Sequence, residues 1–256
     1  MGKILFVFIA LLFTQCATKR ERSTVANYSH VDFTLDTLTL NDFLRNRAIP
    51  IAIYQQKDEG KRNGIPIIFS HGYGENKGGD YLYAYTYLTE YLASKGYTLV
   101  SVQHELPNDD LLAMTGVLKE TRMPNWERGS QNIFYVLHEI KTKYPKLSYS
   151  KLVLIGHSNG GDMTALFVHL HPELVGKVIT MDNRRMPLPR TEKPKIYTLR
   201  SNDHPADEQV LPTDLEVKIY AVRIEFTDIN HNNMDNDATA VERKYLTNRI
   251  LQYLEE

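Results

Sequence analysis

The chain has 256 residues, 42% of them hydrophobic and 24% charged, with a formal net charge of -1. That balance is a globular one, and near-neutrality provides no field to gather nucleic acid or an anionic membrane surface. A single cysteine excludes any disulfide within the chain.

Met1-Gly2-Lys3 precedes an apolar run at residues 4–13, too short to span a bilayer but of the length of a secretory h-region. The run leads to Cys16, where bacterial lipoprotein signals place the cysteine that is acylated after cleavage. Residues 1–16 are therefore expected to be a signal peptide with a lipidated Cys16. Phe13 and Gln15 depart from the leucine and small residue usual in such signals. The alternatives are a plain secretory signal, which would release a soluble or periplasmic protein, and a buried N-terminal helix. With Cys16 acylated, the only membrane contact is that lipid anchor, at the bacterial cell envelope. Residues 17–30 are largely polar and aperiodic and read as a tether, which leaves 31–256 as the folded domain.

Within that domain Val31, Phe33 and Leu35 alternate with polar residues as in a half-buried strand. Residues 47–54 form a second strand, and Pro50 points to an edge position for it. A short apolar strand at 67–69 precedes a helix over 80–94 that closes at Gly96, and 98–102 is a buried strand. Residues 105–123 carry no clear pattern; a stretch of that length is either a functional cap or a weak helix. A helix follows over 125–143, with Ile133, Val136, Leu137 and Ile140 on one face. After it come strands at 152–155, 177–181, 195–199 and 217–226, and a final amphipathic helix from Ala238. Short apolar strands alternating with helices imply an α/β fold, a mostly parallel central sheet with helices on both faces.

Gly156-His157-Ser158-Asn159-Gly160-Gly161 follows the strand at 152–155 and runs into the helix former Asp162-Met163-Thr164-Ala165-Leu166-Phe167. A strand ending in Gly-x-Ser-x-Gly before a helix is a nucleophile elbow, which thrusts the serine hydroxyl out of a tight turn. Ser158 needs a base to take its proton. Of the nine histidines, His71 and His157 sit in glycine turns as loop supports, and His169 and His171 point to different helix faces. His231, in a loop between the last strand and the last helix, is the expected base. Its imidazole needs a carboxylate to fix the tautomer. Asp203 follows the strand at 195–199 and is the first choice; Asp182 follows the preceding strand and is the alternative, with Asp207 a third. The oxyanion donors expected are the backbone amides of Asn159 and of Tyr73 in His71-Gly72-Tyr73-Gly74. The tyrosines at 81, 85, 87 and 91 fall in pairs four apart and read as packing rather than as a ligand site. No metal or other cofactor is implied.

The order His71-Gly72-Tyr73-Gly74, Gly156-His157-Ser158-Asn159-Gly160, a strand-end acid and a late His231 resembles the α/β-hydrolase superfamily over residues 31–256. Ile49-Pro50-Ile51, Asn125-Trp126-Glu127-Arg128 and His231-Asn232-Asn233-Met234 narrow the resemblance to its dienelactone-hydrolase-like and platelet-activating-factor-acetylhydrolase-like branches. The first branch implies Asp203 as the acid, the second Asp182. Dienelactone hydrolases themselves use a cysteine nucleophile, and Ser158 departs from that toward esterases. The resemblance implies a serine hydrolase of the carboxylesterase or lipase kind, acting on a small-molecule ester through an acyl-enzyme. An acyltransferase or peptidase on the same triad, and a catalytically silent binding lipoprotein, are the alternatives.

Overall fold

Apolar segments of five residues are too short for core helices, and when they are buried along their whole length they belong inside a sheet covered on both sides. In a computed structural model, which describes residues 32–220 and 222–256, such segments form the middle of one eight-stranded sheet. The expected signal, Cys16 and the tether lie outside the described residues. The strands are β1 (Phe33–Asp42), β2 (Arg47–Gln56), β3 (Pro66–Ser70), β4 (Thr98–Val102), β5 (Val153–His157), β6 (Lys177–Met181), β7 (Lys195–Arg200) and β8 (Arg223–Phe226). Their order is β1-β2-β4-β3-β5-β6-β7-β8; β2 is antiparallel to both its neighbours and every pair from β4 through β8 is parallel. The fold is the α/β-hydrolase fold.

Strand alternation sends successive side chains into two separate cores. Ile67, Phe69, Leu99, Val153 and Ile155 face a cluster built with α2 (Thr86–Ser94) and α7 (Ala240–Glu255), where Leu88, Leu92, Leu246 and Ile250 pack. Ile68, Val100, Val102 and Leu154 face the other way, toward α4 (Met123–Lys143) and α5 (Ser158–Leu170), whose Ile133, Val136, Leu137 and Phe167 meet them. The expected stripe on α4 is thus the buried one. Thr239 caps α7 through a reciprocal pair with Glu242, which fixes where the final helix starts. Among the described residues no helix is long and apolar enough to cross a membrane.

Three local expectations are corrected. Pro50 does not mark an edge: β2 lies between β1 and β4. The Pro50 carbonyl accepts the N–H of Gln103, one residue past the end of β4, so the donor that proline lacks falls where the β2–β4 ladder has already stopped. The helix over 80–94 is broken into α1 (Asp80–Tyr83) and α2. Asn236 fills the break, its backbone N–H on the Ala84 carbonyl at 2.8 Å and its side chain on Thr86 Oγ1 at 2.9 Å. Residues 217–220 are helical, in α6 (Asp214–Tyr220), and only Arg223–Phe226 is strand. Thr213 and Glu216 cap α6 reciprocally: Glu216 N–H reaches Thr213 Oγ1 at 3.3 Å, and Thr213 N–H reaches Glu216 Oε2 at 2.8 Å.

The segment at 105–123 holds the short α3 (Leu118–Thr121) and exposes Leu111, Met114 and Val117. Because the parallel strands share one direction, the turns that follow β3, β5, β6, β7 and β8 gather at a single sheet edge.

Candidate active site

Ser158 stands directly after β5 with a φ of 51°, in the left-handed region that side-chain-bearing residues avoid. The turn is closed by backbone contact. A side chain at Gly160 would collide with the carbonyls of Ser70 and His71, and one at Gly156 would strike the Gly160 carbonyl. Glycine at these two positions is therefore a packing requirement. His157, Asn159 and Gly160 are buried while Ser158 is partly open, so the elbow presents the serine alone.

His231 begins a 3-10 turn, His231–Met234, in the loop between β8 and α7. Its Nε2 lies 2.9 Å from Ser158 Oγ and its Nδ1 lies 2.5 Å from Asp182 Oδ2. The carboxylate at the ring is thus that of Asp182, not of Asp203, the first choice from sequence. Asp182, fully buried, leaves β6 with a φ of 55° and turns its carboxylate across the end of β7. There Ser201 donates its N–H to Oδ1 at 3.1 Å and its hydroxyl to Oδ2 at 2.7 Å, while the Arg200 guanidinium lies 2.9 Å from Oδ1. Burial acts to raise the pKa of Asp182, but His231, Arg200 and Ser201 outweigh it and hold it at about 2.

Asp203 also touches His231, at the backbone. Its Oδ1 accepts the His231 N–H at 2.7 Å, and its Oδ2 lies 3.1 Å from Nδ1 of His204. It ends the neighbouring strand, as expected, but its direction is fixed by the His231 backbone and by His204. Asp207 is further off: its N–H donates to the Arg184 carbonyl and its carboxylate lies 3.9 Å from Arg185 Nε.

The backbone amides of Tyr73 and Asn159 meet no acceptor among the described residues, whereas the N–H of Gly72, just before Tyr73, is taken by Tyr85 Oη at 3.0 Å. The Asn159 side chain is saturated behind the elbow. Its Oδ1 accepts Trp126 Nε1–H at 2.8 Å, and its Nδ2 donates to Asn125 Oδ1 at 2.8 Å and Glu105 Oε1 at 3.0 Å. Such a locked residue holds its own N–H in a fixed direction, as an oxyanion donor requires. Glu105 is buried, and burial raises its pKa.

A cleft of about 210 Å³ opens over Ser158, lined among others by Gly72, Tyr73, Asp80, Tyr85, His231 and Asp235. Tyr73 Oη accepts the Leu112 N–H at 3.1 Å, which ties the segment at 105–123 to the wall of this cleft. Among the described residues no group of three His, Cys, Asp or Glu is arranged to hold a metal.

The sequence left Tyr85, Trp126 and Glu105 without roles at the site. Trp126 and Asn125 open α4 at the sheet edge, a position that hinted at them; nothing in the pattern around Tyr85 did.

Compared as a sequence, the chain matches no protein-family model and no curated protein. Solved structures do resemble it. A bacterial heroin esterase superposes with a TM-score of 0.62 at 14% identity, over 90% of this chain and 86% of that one. Carboxyl esterase 2 from the mycorrhizal fungus Tuber melanosporum gives 0.61 at 13% identity, over 90% and 87%. A putative dienelactone hydrolase from Klebsiella pneumoniae gives 0.59 at 12% identity, over 88% and 99%. The fold is therefore one that esterases and dienelactone-hydrolase-like proteins share.

Proposed function

We propose that the protein is a serine hydrolase that cleaves carboxylic esters of small molecules through an acyl-enzyme. One observation carries the reading: the hydrogen-bonded line Ser158 Oγ, His231 Nε2, His231 Nδ1, Asp182 Oδ2, with steps of 2.9 and 2.5 Å. In this line the ionised Asp182 accepts a hydrogen bond from Nδ1–H, which keeps that proton on Nδ1 and leaves the Nε2 lone pair facing the serine hydroxyl. Ser158 Oγ attacks the ester carbonyl as its proton passes to Nε2. The carbonyl oxygen, now negative, takes the N–H groups of Tyr73 and Asn159. Collapse expels the alcohol, which receives the proton from Nε2, and water repeats the sequence on the acyl-serine. The esterases that share the fold support ester hydrolysis.

The test is labelling with a fluorophosphonate, which traps an activated serine, together with hydrolysis of p-nitrophenyl esters of graded acyl length. Ser158→Ala is expected to abolish labelling and to lower turnover by about 10⁶-fold. Equal labelling of both proteins would leave a binding protein on a hydrolase fold.

The leader supports an envelope location, with residues 1–16 as a lipoprotein signal, Cys16 as the anchor and 17–30 as the tether. Cys16→Ser is expected to move the protein from the membrane fraction to the soluble one; unchanged fractionation excludes acylation. The contact between Tyr73 and Leu112 and the exposed Leu111, Met114 and Val117 support a cap role for 105–123.

A further inference from the structure

Ser158, the oxyanion loop and His231 come from three separate turns, and the reaction depends on their mutual placement to a fraction of an ångström. One chain of buried side chains joins the three. It starts at Gly72, whose N–H donates to Tyr85 Oη at 3.0 Å. Tyr85 Oη lies 2.6 Å from His157 Nδ1, and His157 Nε2 lies 3.2 Å from the His231 carbonyl oxygen.

The two ends fix the direction of every bond between them. A carbonyl only accepts, so the proton on the His157 ring must sit on Nε2 and point at His231. Nδ1 then carries a lone pair, which Tyr85 fills with its hydroxyl proton. The Tyr85 oxygen is left with a lone pair to take the Gly72 N–H. No other assignment of protons satisfies all three contacts with a neutral ring. Neutrality itself is secured: burial and the neighbouring His231 hold His157 at a pKa of about 3. That matters because the rings of His157 and His231 lie 4.9 Å apart, and a charge on His157 would oppose the charge His231 takes up during attack.

The placement of Tyr85 follows from the break between α1 and α2. Its ring packs on Phe69 of β3 at 4.7 Å between centroids, and it is 4% exposed. The carbonyl beside it, that of Ala84, is held by Asn236 from the same loop as His231. Gly72 is closed in by the same groups: a side chain there would press within 3.1 Å of both Tyr85 Oη and His157 Nδ1.

We propose that Tyr85 and His157 are positioning residues for the hydrolase reaction, a directed relay that sets the oxyanion loop and His231 relative to Ser158. The proposal rests on the serine hydrolase reading, and its test separates the two. Tyr85→Phe keeps the ring packing and removes only the hydroxyl. The expected result is a fall in kcat of about 10- to 100-fold with KM changed less than about threefold. Fluorophosphonate labelling should slow in parallel while the melting temperature changes little. Tyr135→Phe, whose hydroxyl bonds the Asn41 carbonyl on the β1–β2 hairpin, serves as the control and should keep full activity. The ¹⁵N shifts of the His157 ring give a readout that needs no catalysis. The parent should show a single tautomer protonated at Nε2, and Tyr85→Phe should show a mixture. A kcat within twofold of the parent, a loss confined to KM, or a loss matched by a drop in melting temperature would overturn the proposal. So would a parent ring protonated at Nδ1. If the parent fails to label at Ser158, the hydrolase reading falls with that result, and the role proposed for the relay in catalysis falls with it.

Discussion

Asp182 and Asp203 end adjacent parallel strands at one sheet edge, and each places a carboxylate oxygen on His231. Asp182 reaches the ring and Asp203 reaches the backbone. The difference lies in the surroundings. Asp182 is fully buried, fed by the Ser201 N–H and hydroxyl and faced by Arg200, while the Asp203 side chain is 36% exposed and shared with the half-exposed His204. A buried carboxylate that receives this many donors keeps its charge and its direction, which is what a histidine needs from the group behind it. An exposed one can hold a loop in place but gives the ring little. Proximity to the histidine therefore does not identify its partner; the atom contacted and the donors behind the carboxylate do.

The comparison breaks most sharply at Asp182→Asn, which keeps shape and removes charge. A loss of about 10³- to 10⁴-fold in kcat is expected, measured on the ester that the parent turns over best. Retained activity would return the acid role to Asp203.

The second contrast is in stability against pH. The pKa of Asp182 is depressed in the folded state, so its contribution is fully present above about pH 4 and is lost as pH falls toward about 2. That contribution is on the order of 2 kcal/mol. Melting temperatures of the parent should fall over this window, and Asp182→Asn should lack that part of the fall. If both proteins show the same acid slope, the ionised, donor-fed state assigned to Asp182 is wrong.

The smallest effect belongs to Asp203→Asn, where an amide oxygen can still accept the His231 N–H. A fall of about fivefold or less in kcat is expected, the scale of weakening one hydrogen bond. A loss as large as that of Asp182→Asn would mean that the loop contact matters as much as the ring contact.

The elbow was legible because steric need forces letters onto the sequence. Gly156 and Gly160 touch backbone, so nothing larger fits, and the spacing announces the serine between them. His231 was legible from its place between the last strand and the last helix. The choice between Asp182 and Asp203 was not, since both end strands at the same edge and the sequence does not state which way a side chain turns. That turn depends on a φ of 55° at Asp182 and on donors from Ser201, nineteen positions away. The strand expected over 217–226 failed for a different reason. The Thr213 and Glu216 pair caps a helix there, against the strand preference of the β-branched Val217, Ile219, Val222 and Ile224. Tyr85 escaped because its tyrosine neighbours at helical spacing explain themselves as packing, and only its hydroxyl, joined to residues 13 and 72 positions away, distinguishes it.

Ser158 and Asp182 share one more property: both hold their backbones in the left-handed region, at 51° and 55°. Each such residue costs on the order of 1 kcal/mol or more relative to a relaxed backbone, a cost glycine would not incur. At Ser158 selection for folding alone would thus favour glycine, while at Asp182 the stability that the ionised carboxylate contributes, on the order of 2 kcal/mol, opposes that change. Of the two residues proposed for the chemistry, only the serine is held against the stability of the fold, and a descendant that had given up catalysis would be recognised by glycine at 158.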